Sequence, residues 1–136
     1  MKPRTIARLD MLAAEREAQL QDAVRRHANV LAQNQQQRQM LITYRERLAA
    51  SWQDGAPIAA SQARRASQFA TGAQNAAVQI EAAEATAAAQ LQDSTEALVK
   101  LKSHRRKLAA QLREAARIAE TETEQKAERD RPWRRA

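Results

Sequence analysis

The chain has 136 residues, enough for one domain, and 43% of them are apolar. Alanine supplies most of that fraction, so the large side chains that fill a thick globular core are few. Only two glycines and three prolines are present, while the strong helix formers Ala, Gln, Glu, Arg and Leu are abundant. The absence of cysteine excludes a disulfide scaffold and most structural zinc sites.

The net charge is +7, from 23 basic and 16 acidic residues, and it is concentrated toward the two ends of the sequence. A basic surface suits nucleic acid, a membrane surface or an acidic protein, and composition does not choose among them. No apolar run approaches the roughly 18 to 20 residues of a membrane span. Charged residues between positions 10 and 17 interrupt any signal-peptide core. We therefore expect a soluble, cytoplasmic protein without membrane insertion.

A first helix is predicted over about residues 5–52, because neither Gly nor Pro occurs between Thr5 and Ser51. An apolar seam recurs in it every seven residues. The first track of this seam is Ile6, Ala13, Leu20, His27, Asn34, Leu41 and Leu48. The companion track, three residues further on, is Leu9, Arg16, Ala23, Val30, Gln37, Tyr44 and Ser51.

The helix is predicted to break at residues 53–58, where Pro57 removes a backbone donor and disfavours helix in the residue before it. A second helix is predicted over about residues 59–129, followed by a frayed basic tail at 130–136. The seam of the second helix alternates steps of three and four residues. It consists of Phe69, Ala73, Ala76, Ile80, Ala83, Ala87, Leu91, Ser94, Leu98, Leu101, Arg105, Leu108, Leu112, Ala115 and Ala119.

Two long helices with one narrow seam each and a short connection predict an all-α fold. We expect a single domain, a long antiparallel two-helix coiled-coil hairpin with the shape of a rod. With the turn near 53–58, Leu98 to Leu112 lies opposite Val24 to Ala7, so the Leu-rich stretches of the two helices face each other.

No constellation of residues suited to catalysis occurs in the sequence. His27 and His104 stand apart from Cys and from carboxylates at ligand spacing, and we interpret them as tolerated seam or surface residues. No Gly-rich phosphate loop is present. We expect no enzymatic activity, no cofactor or metal, and no small-molecule substrate.

A basic cluster on the second helix is compatible with nucleic-acid binding. The cluster is Lys100, Lys102, Arg105, Arg106 and Lys107. However, no aromatic residue interleaves with it for base stacking, and its side chains project around the helix. We favour a solvated face or a surface for an acidic protein, with nucleic acid as the less favoured alternative.

The motifs of the chain, taken in order, resemble the FliJ family. The first helix has an N-terminal Leu-Asp, a Gln-rich centre and a Gln-x3-Leu-x2-Tyr motif before the break, and the second has a Phe followed by small or apolar residues at four, three and four. The residues that carry the resemblance are Gln37, Leu41, Tyr44, Phe69, Ala73, Ala76 and Ile80, with Glu124-Gln125-Lys126-Ala127-Glu128-Arg129 near the end. FliJ is the flagellar export stalk, and it is related to the YscO/SctO stalks of injectisomes.

The resemblance implies a hairpin similar to the rotor subunit of rotary ATPases. Its implied partners are a hexameric type III export ATPase, the cytoplasmic domain of the export gate (FlhA or SctV) and secretion chaperones. The implied gate contacts are Gln37, Leu41, Tyr44, Leu48, Phe69, Ala73, Ala76 and Ile80. The basic residues expected at the ATPase ring are Lys2, Arg4, Arg8, Arg113, Arg117, Lys126 and Arg129.

The aromatic residues Tyr44, Trp52 and Phe69 lie close to the predicted break. They are either partner anchors, a common role of exposed aromatics at interfaces, or a small core that closes the hairpin. The leading interpretation of function is the central stalk of a type III export apparatus. A coiled-coil adaptor or secretion chaperone without an ATPase partner, and a basic nucleic-acid-associated hairpin, are the alternatives.

Overall fold

The protein consists of two long α-helices. The computed structural model describes residues 2–53 and 59–131, with only the backbone at positions 52 and 53. Helix α1 is Pro3–Gln53 and helix α2 is Ala60–Arg129, with 51 and 70 residues respectively. Within these described ranges the structure contains no strand, and the prediction of an all-α helical hairpin is confirmed.

Local sequence accounts for the points at which the helices begin. The Lys2 carbonyl accepts hydrogen bonds from the N–H groups of Thr5 and Ile6, at 3.0 and 3.1 Å. Pro3 therefore occupies the first helical position, where its missing N–H is not needed. At the start of α2, the Gln62 side chain accepts a hydrogen bond from the Ala59 N–H at 3.3 Å, which is one half of a capping box.

Two compact units can be distinguished, and each contains a segment of both helices. The central unit runs from Ala23 to Ser94, and the terminal unit contains the chain up to Asp22 and from Thr95 onward. In each unit, residues later in α1 pair with residues earlier in α2, so the two segments are antiparallel. In the central unit Arg38 pairs with Glu84, whereas Arg45 pairs with Gln74.

The first seam track of α1 is confirmed as the interior face of that helix. Its members in the terminal unit are buried, with Ile6 only 3% exposed, and its members in the central unit are half-buried. The buried members are Ile6, Ala13 and Leu20, and the half-buried members are His27, Asn34, Leu41 and Leu48.

The companion track of α1 is wrong by one residue. Of its members only Ala23 is half-buried, and the others are exposed, including Leu9 and Val30. The half-buried positions lie one residue later, at Asp10, Glu17, Val24 and Leu31. The interior face of α1 therefore includes two carboxylates that hydropathy assigns to solvent.

The predicted seam of α2 is interior at twelve of its fifteen positions, and three members are exposed: Phe69, Ala83 and Ala119. Next to exposed Ala83, Glu84 is half-buried because it faces Arg38 of α1, with Arg38 Nε 3.4 Å from Glu84 Oε2. That oxygen is shielded from solvent and has no hydrogen-bond partner of good geometry in the described part of the chain. Leu108, in the predicted Leu-rich stretch, is only 3% exposed within the terminal unit.

Several predictions fall on residues outside the described part of the chain. They concern the turn at residues 54–58, the side chain of Trp52, and Trp133 in the predicted tail. Of that tail, residues 130 and 131 are described: Asp130 forms a turn closed by its N–H to the Lys126 carbonyl at 3.0 Å.

Candidate interaction surfaces

An aromatic pair joins the two helices in the central unit. The rings of Tyr44 on α1 and Phe69 on α2 have centroids 5.1 Å apart and are tilted by 43°. This separation is within the range in which aromatic pairs attract each other. The pair is not a closed core, since Tyr44 is 50% exposed and Phe69 is 43% exposed. The two rings thus contact each other while about half of each side chain stays exposed to solvent.

An apolar groove lies beside Phe69. It has a volume of about 390 Å³, and alanine methyl groups from both helices form most of its walls. It is lined by Arg45, Leu48, Ala49, Ala63, Ala66, Phe69, Ala70 and Ala73. We call it the alanine groove. Because small side chains leave the space between the helices open, one bulky apolar side chain from a partner could enter it.

Arg45 at the edge of the alanine groove is held across the two helices by a hydrogen bond from its guanidinium to Gln74 Oε1, at 3.1 Å. A second, more polar groove on α1 includes Met40 and Tyr44 among its lining residues. Met40 is exposed, and Tyr44 belongs both to this groove and to the aromatic pair.

The residues predicted to contact the export gate differ in accessibility. Three are exposed, namely Gln37, Tyr44 and Phe69. Four are half-buried, namely Leu41, Leu48, Ala76 and Ile80. Ala73 is only 7% exposed, so its methyl group packs inside the hairpin and leaves little surface for a partner. Exposed surface at these positions therefore centres on the two rings.

The basic residues predicted to contact the ATPase ring are all exposed and all lie in the terminal unit. They are Lys2, Arg4 and Arg8 at the start of α1, and Arg113, Arg117, Lys126 and Arg129 in the second half of α2. Together with Thr5, the three residues of α1 surround a shallow depression. The side chains of all seven residues extend into solvent.

Arg117 has an acidic partner on its own helix. Its Nη2 lies 2.7 Å from Glu114 Oε1, and its Nε donates to Glu114 Oε2 at 3.2 Å. This two-point hydrogen bond lowers the pKa of Glu114 and raises the pKa of Arg117. Part of the charge of Arg117 is therefore already compensated, whereas Arg113 forms no ion pair with any described residue.

The sequence reasoning missed a three-residue ion cluster between the helices of the terminal unit, which we call the Arg105 triad. Arg105 of α2 lies between two carboxylates of α1: its Nε is 3.0 Å from Asp10 Oδ1, and its Nη1 donates to Glu17 Oε2. The three side chains are between 15% and 33% exposed. The hydrogen bonds to Asp10 and Glu17 raise the pKa of Arg105 far above its usual range, so the guanidinium stays charged.

The Arg105 triad changes the interpretation of the predicted basic cluster. Arg105 is half-buried and bound to α1, while Lys100, Lys102, Arg106 and Lys107 are exposed. The sequence contains a signal for the triad: Arg105 lies in the predicted seam of α2, and Asp10 and Glu17 are seven residues apart on α1. Hydropathy alone assigned these acids to solvent.

The two histidines lie on different helices. His27 is half-buried in the seam and His104 is exposed, and no group of three metal-ligating side chains occurs among the described residues. Neither helix, over its described length, contains a stretch apolar enough to cross a membrane.

Comparisons with family profiles, with characterised proteins and with solved structures give no significant match to this chain. The similarity to FliJ and YscO/SctO stalks thus remains a resemblance in motifs.

Proposed function

We propose that the protein is the central stalk of a bacterial type III export apparatus, of the flagellar FliJ or the injectisome YscO/SctO type. In this role it binds the hexameric export ATPase, promotes assembly and activity of the ATPase ring, and links the ring to the export gate. It would act at the cytoplasmic face of the inner membrane as a peripheral component. The proposal depends on the order of the motifs that resemble this family.

The exposed Tyr44–Phe69 pair is the structural observation that best supports the proposal. Both residues occupy motif positions of the resemblance, and they come from different helices yet lie side by side. Exposed aromatics supply large contact area at a small cost in conformational entropy, and they are frequent anchors of protein interfaces. We assign this pair and the adjoining alanine groove to the cytoplasmic domain of the export gate.

The exposed cations of the terminal unit are assigned to the ATPase ring. Long, solvated Lys and Arg side chains attract an acidic or polar inner surface over several ångströms without fixing one geometry. Such a contact suits a shaft inside a ring that changes conformation during its ATPase cycle. Tight apolar packing would instead hold a single state of the ring.

The test is to mix the protein with the export ATPase of the same organism and to follow hexamer formation and ATP hydrolysis together at physiological salt. We expect both to increase. The charge-reversed variant Arg4→Glu/Arg8→Glu should lose most of the stimulation. The matched control Arg64→Glu/Arg65→Glu reverses the same number of exposed charges in the central unit and should retain it. Absence of any stimulation by the native protein would refute the stalk function.

A coiled-coil adaptor or secretion chaperone is the second candidate, and the alanine groove favours it because a partner helix can use an apolar groove in many contexts. The same experiment separates the two functions. An adaptor would bind the gate domain or an export substrate through Tyr44 and Phe69 but would leave ATP hydrolysis unchanged.

A further inference from the structure

The seam of the terminal unit is compatible with more than one alignment of its two helices. On α2 the seam repeats leucine at Leu98, Leu101, Leu108 and Leu112. A shift of α2 by seven residues therefore replaces one apolar seam residue with another at most positions. Coiled coils with such repeats need a polar or charged seam residue to specify the register.

We propose that the Arg105 triad is the register lock of the terminal unit, a conformational device that permits only one alignment of the α1 and α2 segments in that unit. Asp10 and Glu17 are one heptad apart on the interior face of α1, and Arg105 hydrogen-bonds to both. One guanidinium thereby satisfies two carboxylates that would otherwise face an apolar seam.

A slip of one heptad in either direction breaks this arrangement. In one direction Arg105 moves past Asp10 toward the start of α1, which leaves Glu17 opposite Leu98. In the other direction Arg105 moves beyond Glu17, which leaves Asp10 opposite Leu112. Each slipped state separates one half-buried carboxylate from the guanidinium that hydrogen-bonds to it in the native alignment, and the loss of such a partner is unfavourable.

The burial of the triad fits this role better than a role in stability alone. Charged residues in a seam are commonly less stabilising than well-packed apolar residues, and their best-attested use is to select one register or one partner. On either side of the triad, α1 presents Ile6, Ala13 and Leu20, all buried, so the apolar seam itself is continuous without Asp10 and Glu17.

The test measures the register directly in the full chain. Because the chain has no cysteine, Ala7→Cys/Ser103→Cys can carry two nitroxide labels at exposed positions, and their separation can be read by pulsed electron spin resonance. Dilution with unlabelled protein restricts the signal to pairs within one molecule. One heptad moves the labels by about 10 Å along the helix axis. For the native triad we expect a single narrow distance.

Removal of the whole triad should leave the helices intact and free the register. We expect Asp10→Leu/Glu17→Leu/Arg105→Leu to give more than one distance with undiminished helical circular dichroism. The control Glu15→Leu/Glu120→Leu/Lys107→Leu removes two acids and one base from exposed positions outside the groove around the triad and should keep the native distance. A single native distance in the triad variant would overturn the proposal.

Single substitutions provide a directional test that does not depend on the triple variant. Glu17→Leu leaves Asp10 as the only carboxylate, so it should add a population in which the labels are closer than in the native protein. Asp10→Leu leaves Glu17 alone and should add a population in which they are further apart. Shifts in opposite directions support the lock. Unchanged distances, or shifts in the same direction, would overturn it.

Discussion

Tyr44 and Phe69 contact each other across the two helices of the central unit, with ring centroids 5.1 Å apart, while about half of each side chain remains exposed. Neither ring is fully buried, because two packed helices can cover only one side of an aromatic ring. A stabilising contact and an accessible surface therefore coexist at the same two positions, and the two roles can be separated by measurement.

The first prediction concerns the energy of this pair. A double-mutant cycle with Tyr44→Ala and Phe69→Ala, measured by urea unfolding, should give a coupling energy of about 0.5–1 kcal/mol. The cycle that combines Tyr44→Ala with Val78→Ala is the control, since Val78 is exposed on α2 and is not part of the ring contact. We expect no coupling there.

The same variants test the proposed gate contact. Each alanine substitution should weaken binding to the export-gate domain at least tenfold while helical circular dichroism and ATPase stimulation stay near native values. Ten-fold weakening corresponds to about 1.4 kcal/mol, which is more than the roughly 1 kcal/mol that most interface residues contribute when truncated to alanine. A parallel loss of helicity would identify the rings as structural residues only.

The predictability of the fold differs between the two faces of α1. The track from Ile6 to Leu48 was correct because its spacing of seven residues coincides with apolar or small side chains at the end where the helices pack closely. The companion track failed at its first position because Leu9 is more apolar than Asp10, although Asp10 is the half-buried residue of the two. Further along, Val30 and Leu31 are both apolar, so hydropathy does not choose between them. Asp10 and Glu17 lie on the interior face because both bind Arg105 of α2. These contacts join residues 95 and 88 positions apart, and the hydropathy pattern of one helix carries no information about them.

The candidate surfaces were predictable to a different degree. Sequence reasoning expected Tyr44 and Phe69 to remain partly exposed, and both do. It did not predict the alanine groove, because a groove arises where small residues on two helices, such as Ala49 and Ala66, happen to face each other. The spacing of residues within one helix does not predict which residues of the other helix lie opposite them.

The second prediction concerns the interior of the terminal unit. Leu108→Ala should lower the free energy of unfolding by about 2–3 kcal/mol, because Leu108 is 3% exposed and its removal leaves a cavity. Val99→Ala is the control on the same helix: Val99 is 62% exposed, and the change should stay within about 0.5 kcal/mol. Urea unfolding followed by circular dichroism measures both, and equal effects would contradict the assigned seam.

The third prediction concerns Gly72, which lies inside α2 three residues after Phe69. A Cβ atom added at this position would meet nothing within 4 Å, so no packing requirement explains the glycine. Gly72→Ala should therefore stabilise the protein by about 0.5–1 kcal/mol, since glycine loses more backbone entropy than alanine on forming a helix.

The exposed position Ala85 on the same helix offers the reverse experiment. Ala85→Gly should destabilise the protein by a similar amount, about 0.5–1 kcal/mol. If Gly72→Ala instead destabilised the protein while Ala85→Gly behaved as expected, the backbone at position 72 would be under a constraint that helix propensity does not describe.

The fourth prediction concerns the Glu114–Arg117 pair and its dependence on pH. Hydrogen bonds from Arg117 lower the pKa of Glu114 in the folded protein. A carboxyl group with a lowered folded pKa adds stability above its unfolded pKa, and this contribution is lost as the pH falls through the folded pKa. Arg117→Gln should therefore raise the pKa of Glu114, as measured by carboxyl-resolved NMR titration, and should reduce stability slightly at neutral pH but not in strong acid.

Arg113→Gln is the matched control for this titration, because it removes the same charge one residue before Glu114 without removing its hydrogen-bond donor. We expect a much smaller change in the pKa of Glu114, and we expect added salt to diminish it. The shift caused by Arg117→Gln should persist better in salt, since a two-point hydrogen bond acts at contact distance whereas a nearby charge in solvent is screened. Equal shifts in the two variants would mean that general charge, and not the hydrogen-bonded pair, sets the pKa of Glu114.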